Sequence, residues 1–95
     1  MRDLKITIAK FRIGHIVATP HLLESVTHED ILAAIQRHQA GDWGDLGAED
    51  LAANDRALGE GTRILSAYRA ANGTKFWVIT EADRSATTVL LPEDY

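Results

Sequence analysis

The hydrophobic pattern changes period several times along the chain. Leu4, Ile6 and Ile8 alternate with Lys5 and Thr7, a period of two that predicts a strand. The phase slips at Ala9-Lys10, and Phe11 and Ile13 continue one position out of step, which reads as a bulged strand or as two short ones. Gly14–Thr19 predicts another short β segment, and Pro20 ends it because proline cannot donate to a ladder. His21–Ser25 fits one helical turn. At Thr27 the signals for a longer helix begin: the Thr27 hydroxyl can accept from the Asp30 amide while the Asp30 carboxylate reaches back, a capping box. Val26 and Ile31 stand at the staple positions around it. Ile31, Ala34, Ile35 and His38 then recur at helical spacing and line one face until Gly41.

A glycine-rich loop follows, Gly41-Asp42-Trp43-Gly44-Asp45-Leu46-Gly47, before helix signals return over residues 48–58. Glu49 and Asp50 fall in the first turn, where they complement the helix dipole, and Gly59 and Gly61 mark the end. Leu51, Asn54 and Leu58 share a face, so the Asn54 amide sits on an apolar stripe and must find partners; unpaired, it would cost ~1–3 kcal/mol. Further on, Ile64–Ala71 and Thr74–Glu81 flank Asn72-Gly73, a strong hairpin signal that predicts a two-residue type I′ turn. That loop length pairs Tyr68 with Trp77, Ser66 with Ile79 and Ile64 with Glu81, and it leaves both faces of the hairpin apolar. One face meets the helices; the other calls for the N-terminal strand or a second chain. Ala82–Ser85 makes a polar turn into a last strand, Thr87–Leu91, ended by Pro92. The element order predicts a single α+β domain over residues 1–95, a small antiparallel sheet with a β-hairpin and two main helices packed on one face.

Composition narrows what such a domain does. With no cysteine the chain has neither a disulfide framework nor a thiol nucleophile. The N-terminal residues lack the apolar core of a signal peptide, and no apolar run approaches the ~20 residues that cross a bilayer, so a cytoplasmic protein with no membrane partner is expected. A net charge of −4 argues against direct nucleic-acid binding. A nucleic-acid-binding regulator would have to rely on Lys5, Lys10, Arg12, Arg63, Arg69 and Lys75, which are spread thinly, with an exposed Trp43 or Trp77 for stacking. Charge is uneven: Asp42, Asp45, Glu49, Asp50, Asp55 and Glu60 face the single Arg56 between residues 42 and 60. These acids read either as a solvated helix face or as a patch that docks a basic protein partner.

Two polar clusters are candidates for chemistry. His38 with Asp42, Trp43 and Asp45 could gather an imidazole and two carboxylates for a divalent ion or for acid–base work. Its structural alternative has His38 closing the apolar stripe, Trp43 anchoring the loop in the core and the aspartates organising turns. In the second cluster, Glu81, Asp83 and Arg84 lie at one turn with Ser85, Thr87 and Thr88, where Arg84 could take a phosphate or the acids a metal. Here the alternative is a turn built by Asp83 and Arg84. A metal-dependent hydrolase or nuclease would draw its catalytic groups from His38, Asp42, Asp45, Glu81 and Asp83, whereas a binding role would draw on Trp43, Asp42, Asp45, Asp83 and Arg84. The P-loop, the Gly-x-Ser-x-Gly elbow and the paired-His zinc spacing are all missing, so no metal or cofactor is assigned.

The stretches Gly41-Asp42-Trp43-Gly44-Asp45-Leu46 and Trp77–Pro92 resemble a family of small bacterial proteins carried on plasmids and other mobile elements. Some members bear the label "plasmid-related protein" and others that of a type I restriction subunit. The likeness runs from about Phe11 to Tyr95. A methylase needs a cofactor fold larger than this chain and a Gly-rich signature that is missing here, so the resemblance implies a mobile-element context rather than a transferase. The expectation is a non-enzymatic accessory protein acting by protein–protein contact, either alone or as a homodimer through the spare sheet face. Inhibition of a host defence system through the acidic surface is a special case of it.

Overall fold

The computed structural model describes residues 8–95. It is an α+β fold with a four-stranded sheet in the order β1-β4-β3-β2. In chain order the elements are β1 (His15–Ala18), α1 (Pro20–Ser25), α2 (His28–Gln39), α3 (Ala48–Glu60), β2 (Ile64–Arg69), β3 (Lys75–Thr80), β4 (Ala86–Leu90) and a closing 3-10 turn, Pro92–Asp94. No described helix is long and apolar enough to cross a membrane. The sheet is mixed rather than purely antiparallel. β2, β3 and β4 run antiparallel to one another, and β1 lies parallel to β4 with His15 opposite Ala86. A parallel neighbour follows from what separates the two strands, since the helices and the hairpin carry the chain back to the starting end of the sheet.

The expected strand at the N-terminus falls partly on residues 4–7, outside the described region. Phe11–Ile13, its continuation, is irregular chain. Phe11 packs against the cluster of Trp43, Ala57 and Ile64, and Ile13 against the main core, so both are anchored by packing rather than by a ladder. The Lys10 amide donates to the Gln39 carbonyl and the Gln39 side chain donates to the Phe11 carbonyl, which ties this segment to the end of α2.

Local signals place α1 and α2 as expected. Thr19 caps α1 with Pro20 in its first turn, and the Thr27 hydroxyl accepts from the Asp30 amide at 3.2 Å. The second half of the capping box does not form. The Asp30 carboxylate instead accepts from the Ala71 amide at 3.1 Å, fastening the hairpin tip to the start of α2. Ile31, Ala34 and Ile35 join Leu22 and Val26 over Tyr68, Phe76, Val78 and Val89, the inner face of the sheet. Burying each of the large apolar side chains is worth ~1.5–3 kcal/mol.

The hairpin register differs from the expected one by a single residue. The Ala70 amide donates to the Thr74 carbonyl, and Ala71-Asn72-Gly73 forms a three-residue loop in which Gly73 alone takes the left-handed conformation, φ +88°. Asn72 is held otherwise: its side-chain oxygen accepts from the Thr74 amide, and its amide nitrogen donates to the Ser25 carbonyl on α1. Tyr68 therefore faces Phe76, Ala67 faces Trp77 and Leu65 faces Ile79. A one-residue slip moves each partner to the other side of the sheet, so Tyr68 is turned inward while Trp77 lies on the outer face. That outer face is not left to a second chain throughout. Tyr95 meets Trp77 edge-on at 5.6 Å, and Ile79 and Leu90 beside them are buried.

Candidate functional site

His38 is fully buried at the end of α2 and heads a chain of polar groups that crosses the core. Its Nδ1 lies 2.6 Å from the Ser66 hydroxyl and its Nε2 lies 2.8 Å from the Thr80 hydroxyl; the Thr80 and Thr87 hydroxyls are 2.7 Å apart, and Thr87 donates to the Ile13 carbonyl at 2.7 Å. Each hydroxyl has one proton and the terminal carbonyl can only accept. The proton order follows from that end. Thr87 gives its proton to Ile13 and accepts from Thr80, which must then accept from Nε2–H. Nε2 therefore carries a proton, and in the neutral imidazole Nδ1 keeps a lone pair that accepts from Ser66. Burial pushes the His38 pKa down to about 4, with the nearby Arg84 charge acting in the same direction. Phe11 and Trp43 pack against the ring at 5.1 and 5.9 Å between centroids.

The constellation of His38 with Asp42 and Asp45 does not assemble, because both ring nitrogens are engaged inside the core. Asp42 turns outward and accepts twice from the Arg37 guanidinium, at 2.7 and 3.2 Å, and this hydrogen bonding holds its carboxyl below the usual range. Its backbone carbonyl accepts from the Tyr68 hydroxyl at 2.6 Å, and burial raises the Tyr68 pKa to about 12. Trp43 is buried as well, which removes it from contact with a ligand; its indole N–H donates to Asp55 at 2.9 Å. Asp45 stays exposed.

The glycine-rich loop instead closes one edge of the sheet. The Ala67 amide donates to the Trp43 carbonyl at 3.1 Å and the Asp45 amide donates to the Ala67 carbonyl at 2.8 Å, so Gly44 lies alongside β2. Gly44 has φ +78°, and a Cβ there would sit 2.0 Å from the Ala67 carbonyl oxygen. Only glycine fits. One step down the same edge, the Asn54 side chain donates to the Leu65 carbonyl at 2.7 Å and accepts from the Leu65 amide at 3.3 Å. This is the partner that the amide on the apolar stripe of α3 requires.

The Glu81–Ser85 cluster is likewise architectural. Arg84, at φ +62°, donates to the Thr62 and Glu81 carbonyls and to the Ala57 carbonyl at the end of α3. A guanidinium engaged on three backbone oxygens is not held out for a phosphate. Asp83 is fully exposed and accepts from the Ser85 amide, an Asx turn; hydrogen bonding from the Ser85 hydroxyl and then from its amide lowers the Asp83 pKa. Glu81 lies 3.7 Å from Arg63. Among the described residues no three His, Asp or Glu side chains come close enough together to hold a metal ion. The cationic residues do not converge either: Arg69 and Lys75 face each other at the hairpin end, Arg63 lies under Tyr95, and Lys5 is outside the described region.

What the fold does build is a groove on the outer face, about 440 Å³, between the loop, α3 and the sheet. Leu46, Leu65, Ala67 and Trp77 give it an apolar floor, and Asp45 and Asp50 stand on its wall. Trp77 reaches it only because of the three-residue hairpin loop, so the pairing expected from the sequence hid this surface. Comparison of the chain with protein-family models, curated proteins and solved structures finds no match.

Proposed function

We propose that this protein is a non-enzymatic accessory factor of a mobile element that works by binding another protein through an acidic surface. The observation that carries the reading is the exposure of Asp45, Glu49, Asp50, Asp55 and Glu60 along the loop and α3, with no ion-pair partner for any of them among the described residues. Support also comes from the use made of the reactive side chains. His38, Arg84 and Trp43 are engaged within the fold, where they hold the core, the end of α3 and the loop. The resemblance in the Gly41–Leu46 and Trp77–Pro92 motifs supports the mobile-element setting. Inhibition of a defence enzyme is the special case in which this surface occupies a basic channel made for nucleic acid, since carboxylates at protein spacing can stand in for phosphates.

Affinity capture from the native host tests the reading, using the wild type and a variant with Glu49, Asp50 and Glu60 changed to lysine. A basic partner retained by the wild type, lost from the variant and displaced by added DNA or RNA is the expected result. Retention of the same proteins by both forms would overturn it.

A further inference from the structure

The outer-face groove combines three features that the acidic surface elsewhere lacks. It is concave, with a volume of about 440 Å³ that falls in the ~300–1,000 Å³ range of ligand clefts. Its floor is apolar and includes the half-buried indole of Trp77, which Tyr95 meets edge-on on one side. Its wall carries two carboxylates, Asp45 and Asp50, neither of which has an ion-pair partner among the described residues. The start of α3 opens on the same groove at Gly47, and a helix N-terminus contributes about +0.5 of an elementary charge. Two full negative charges outweigh it, so the cleft is negative. Arg69 and Lys75 share the outer face, but they lie toward the hairpin end and line no part of the groove.

Resting on the partner-binding reading above, we propose that this groove receives an arginine side chain from an apolar segment of the partner protein. The guanidinium is the group these walls fit. Its plane stacks on the Trp77 indole while its N–H fork reaches the Asp45 and Asp50 carboxylates, and its methylene stem covers Leu46 and Leu65. A lysine ammonium would make the charge contact without the stacking. A phosphate or a nucleic-acid backbone would be repelled.

The probe is a blocked tripeptide, acetyl-Leu-Arg-Leu-amide, titrated into the full 15N-labelled chain, with its citrulline and lysine counterparts as controls. Citrulline keeps the planar shape and removes the charge. The expected result is a saturable shift of the Trp77 indole N–H with the Trp43 indole N–H unmoved. Binding should weaken about tenfold for the citrulline peptide, and by a similar factor in Asp45→Asn and Asp50→Asn, while the lysine peptide should fall between. Trp77→Leu should lose the preference for arginine over lysine; the spectrum of the hairpin amides reports that this variant is folded, and the two Asp→Asn variants test the groove independently of it. Equal binding of the citrulline peptide, or an unmoved Trp77 resonance, overturns the proposal. If the arginine peptide instead shifts amides around Asp55 and Glu60, the groove is wrong while the acidic surface as a docking site stands. A wild type that captures no partner and binds no arginine peptide removes both.

Discussion

A histidine with both nitrogens bonded inside a core is worth more to the fold than an exposed one, and it is costly to lose. His38→Ala would leave the Ser66 and Thr80 hydroxyls without their shared partner and open a cavity beside Phe11 and Trp43. Two stranded groups at ~1–3 kcal/mol each put the loss at roughly 2–6 kcal/mol, a large part of the ~5–15 kcal/mol that a domain typically has. Trp43→Ala acts through packing and should cost ~3–5 kcal/mol, as large-to-small core changes do. Urea unfolding followed by far-UV circular dichroism measures both. A change below ~1 kcal/mol in either would contradict the burial described for that side chain. Asp42→Asn, by contrast, removes only an exposed pairing with Arg37 and is expected to shift stability by less than ~1 kcal/mol.

At the level of elements, the β2 edge shows how a short sheet is terminated. An unpaired edge is an invitation to aggregate, and here it is occupied by a loop and a side chain: Gly44 lies beside Ala67 while the Asn54 amide engages Leu65. Gly44→Ala would force a Cβ against the Ala67 carbonyl in a backbone conformation that L-residues rarely adopt, so at least ~1–3 kcal/mol should be lost. Asn54→Leu keeps the branching at Cγ but strands the Leu65 amide and carbonyl, with a similar loss for each group. Amide hydrogen exchange distinguishes the two. Asn54→Leu should speed exchange at Leu65, Gly44→Ala at Asp45 and Ala67; unchanged protection at these amides would mean the edge is closed in some other way. At the opposite edge β1 exposes half of Ile16 and half of Val17.

For the whole molecule, the buried imidazole makes stability depend on pH in a defined window. His38 has an ordinary pKa of 6.5 when unfolded and about 4 in the fold, so between these values the unfolded chain binds a proton that the native chain does not. Unfolding is then favoured as pH falls. The His38 contribution is intact above pH 6.5, declines through the window and is spent near pH 4, a total of about 3 kcal/mol between those two values. Asp42 acts separately and lower. Its carboxyl is held below 3.8, so its contribution is intact above that value and is lost as pH falls from there through the depressed one. Unfolding free energies measured from pH 7 to pH 4 should fall for the wild type and flatten in His38→Gln; an equally steep fall in the variant would assign the effect to other groups. Association is the other property decided at this scale. Because Ile79 and Leu90 on the outer face are already buried within the single chain, the reason for expecting a dimer through that face is reduced. Sedimentation at high micromolar concentration should show a monomer, and a dimer abolished by Val17→Lys would point to the β1 edge.

Much of the local structure was legible in the sequence, because caps, periodicity and glycine placement act over a few residues. Thr27 before an apolar period of 3.6, Pro20 after a β-rich stretch and Gly61 after α3 each encode a boundary whose physics is complete within one turn. The same holds for the need of Asn54 for partners, though not for their identity. The hairpin shows where local information runs out. Asn72-Gly73 is compatible with a two-residue or a three-residue loop, and the longer one found here is tied down by distant segments, Asn72 bonding to Ser25, 47 positions away, and Ala71 to Asp30. That choice turned Tyr68 inward, placed Trp77 on the outer face and so created the groove. The proton order along Ser66, His38, Thr80 and Thr87 has the same origin. Their separate positions carry no sign of a common chain, and only packing the strands beneath α2 brings four polar side chains from distant segments within hydrogen-bond reach of one another. Tertiary structure likewise set apart His38 and Asp42, neighbours in sequence. A buried ring must satisfy its nitrogens from the core, whereas a carboxylate keeps its charge by remaining in water beside Arg37.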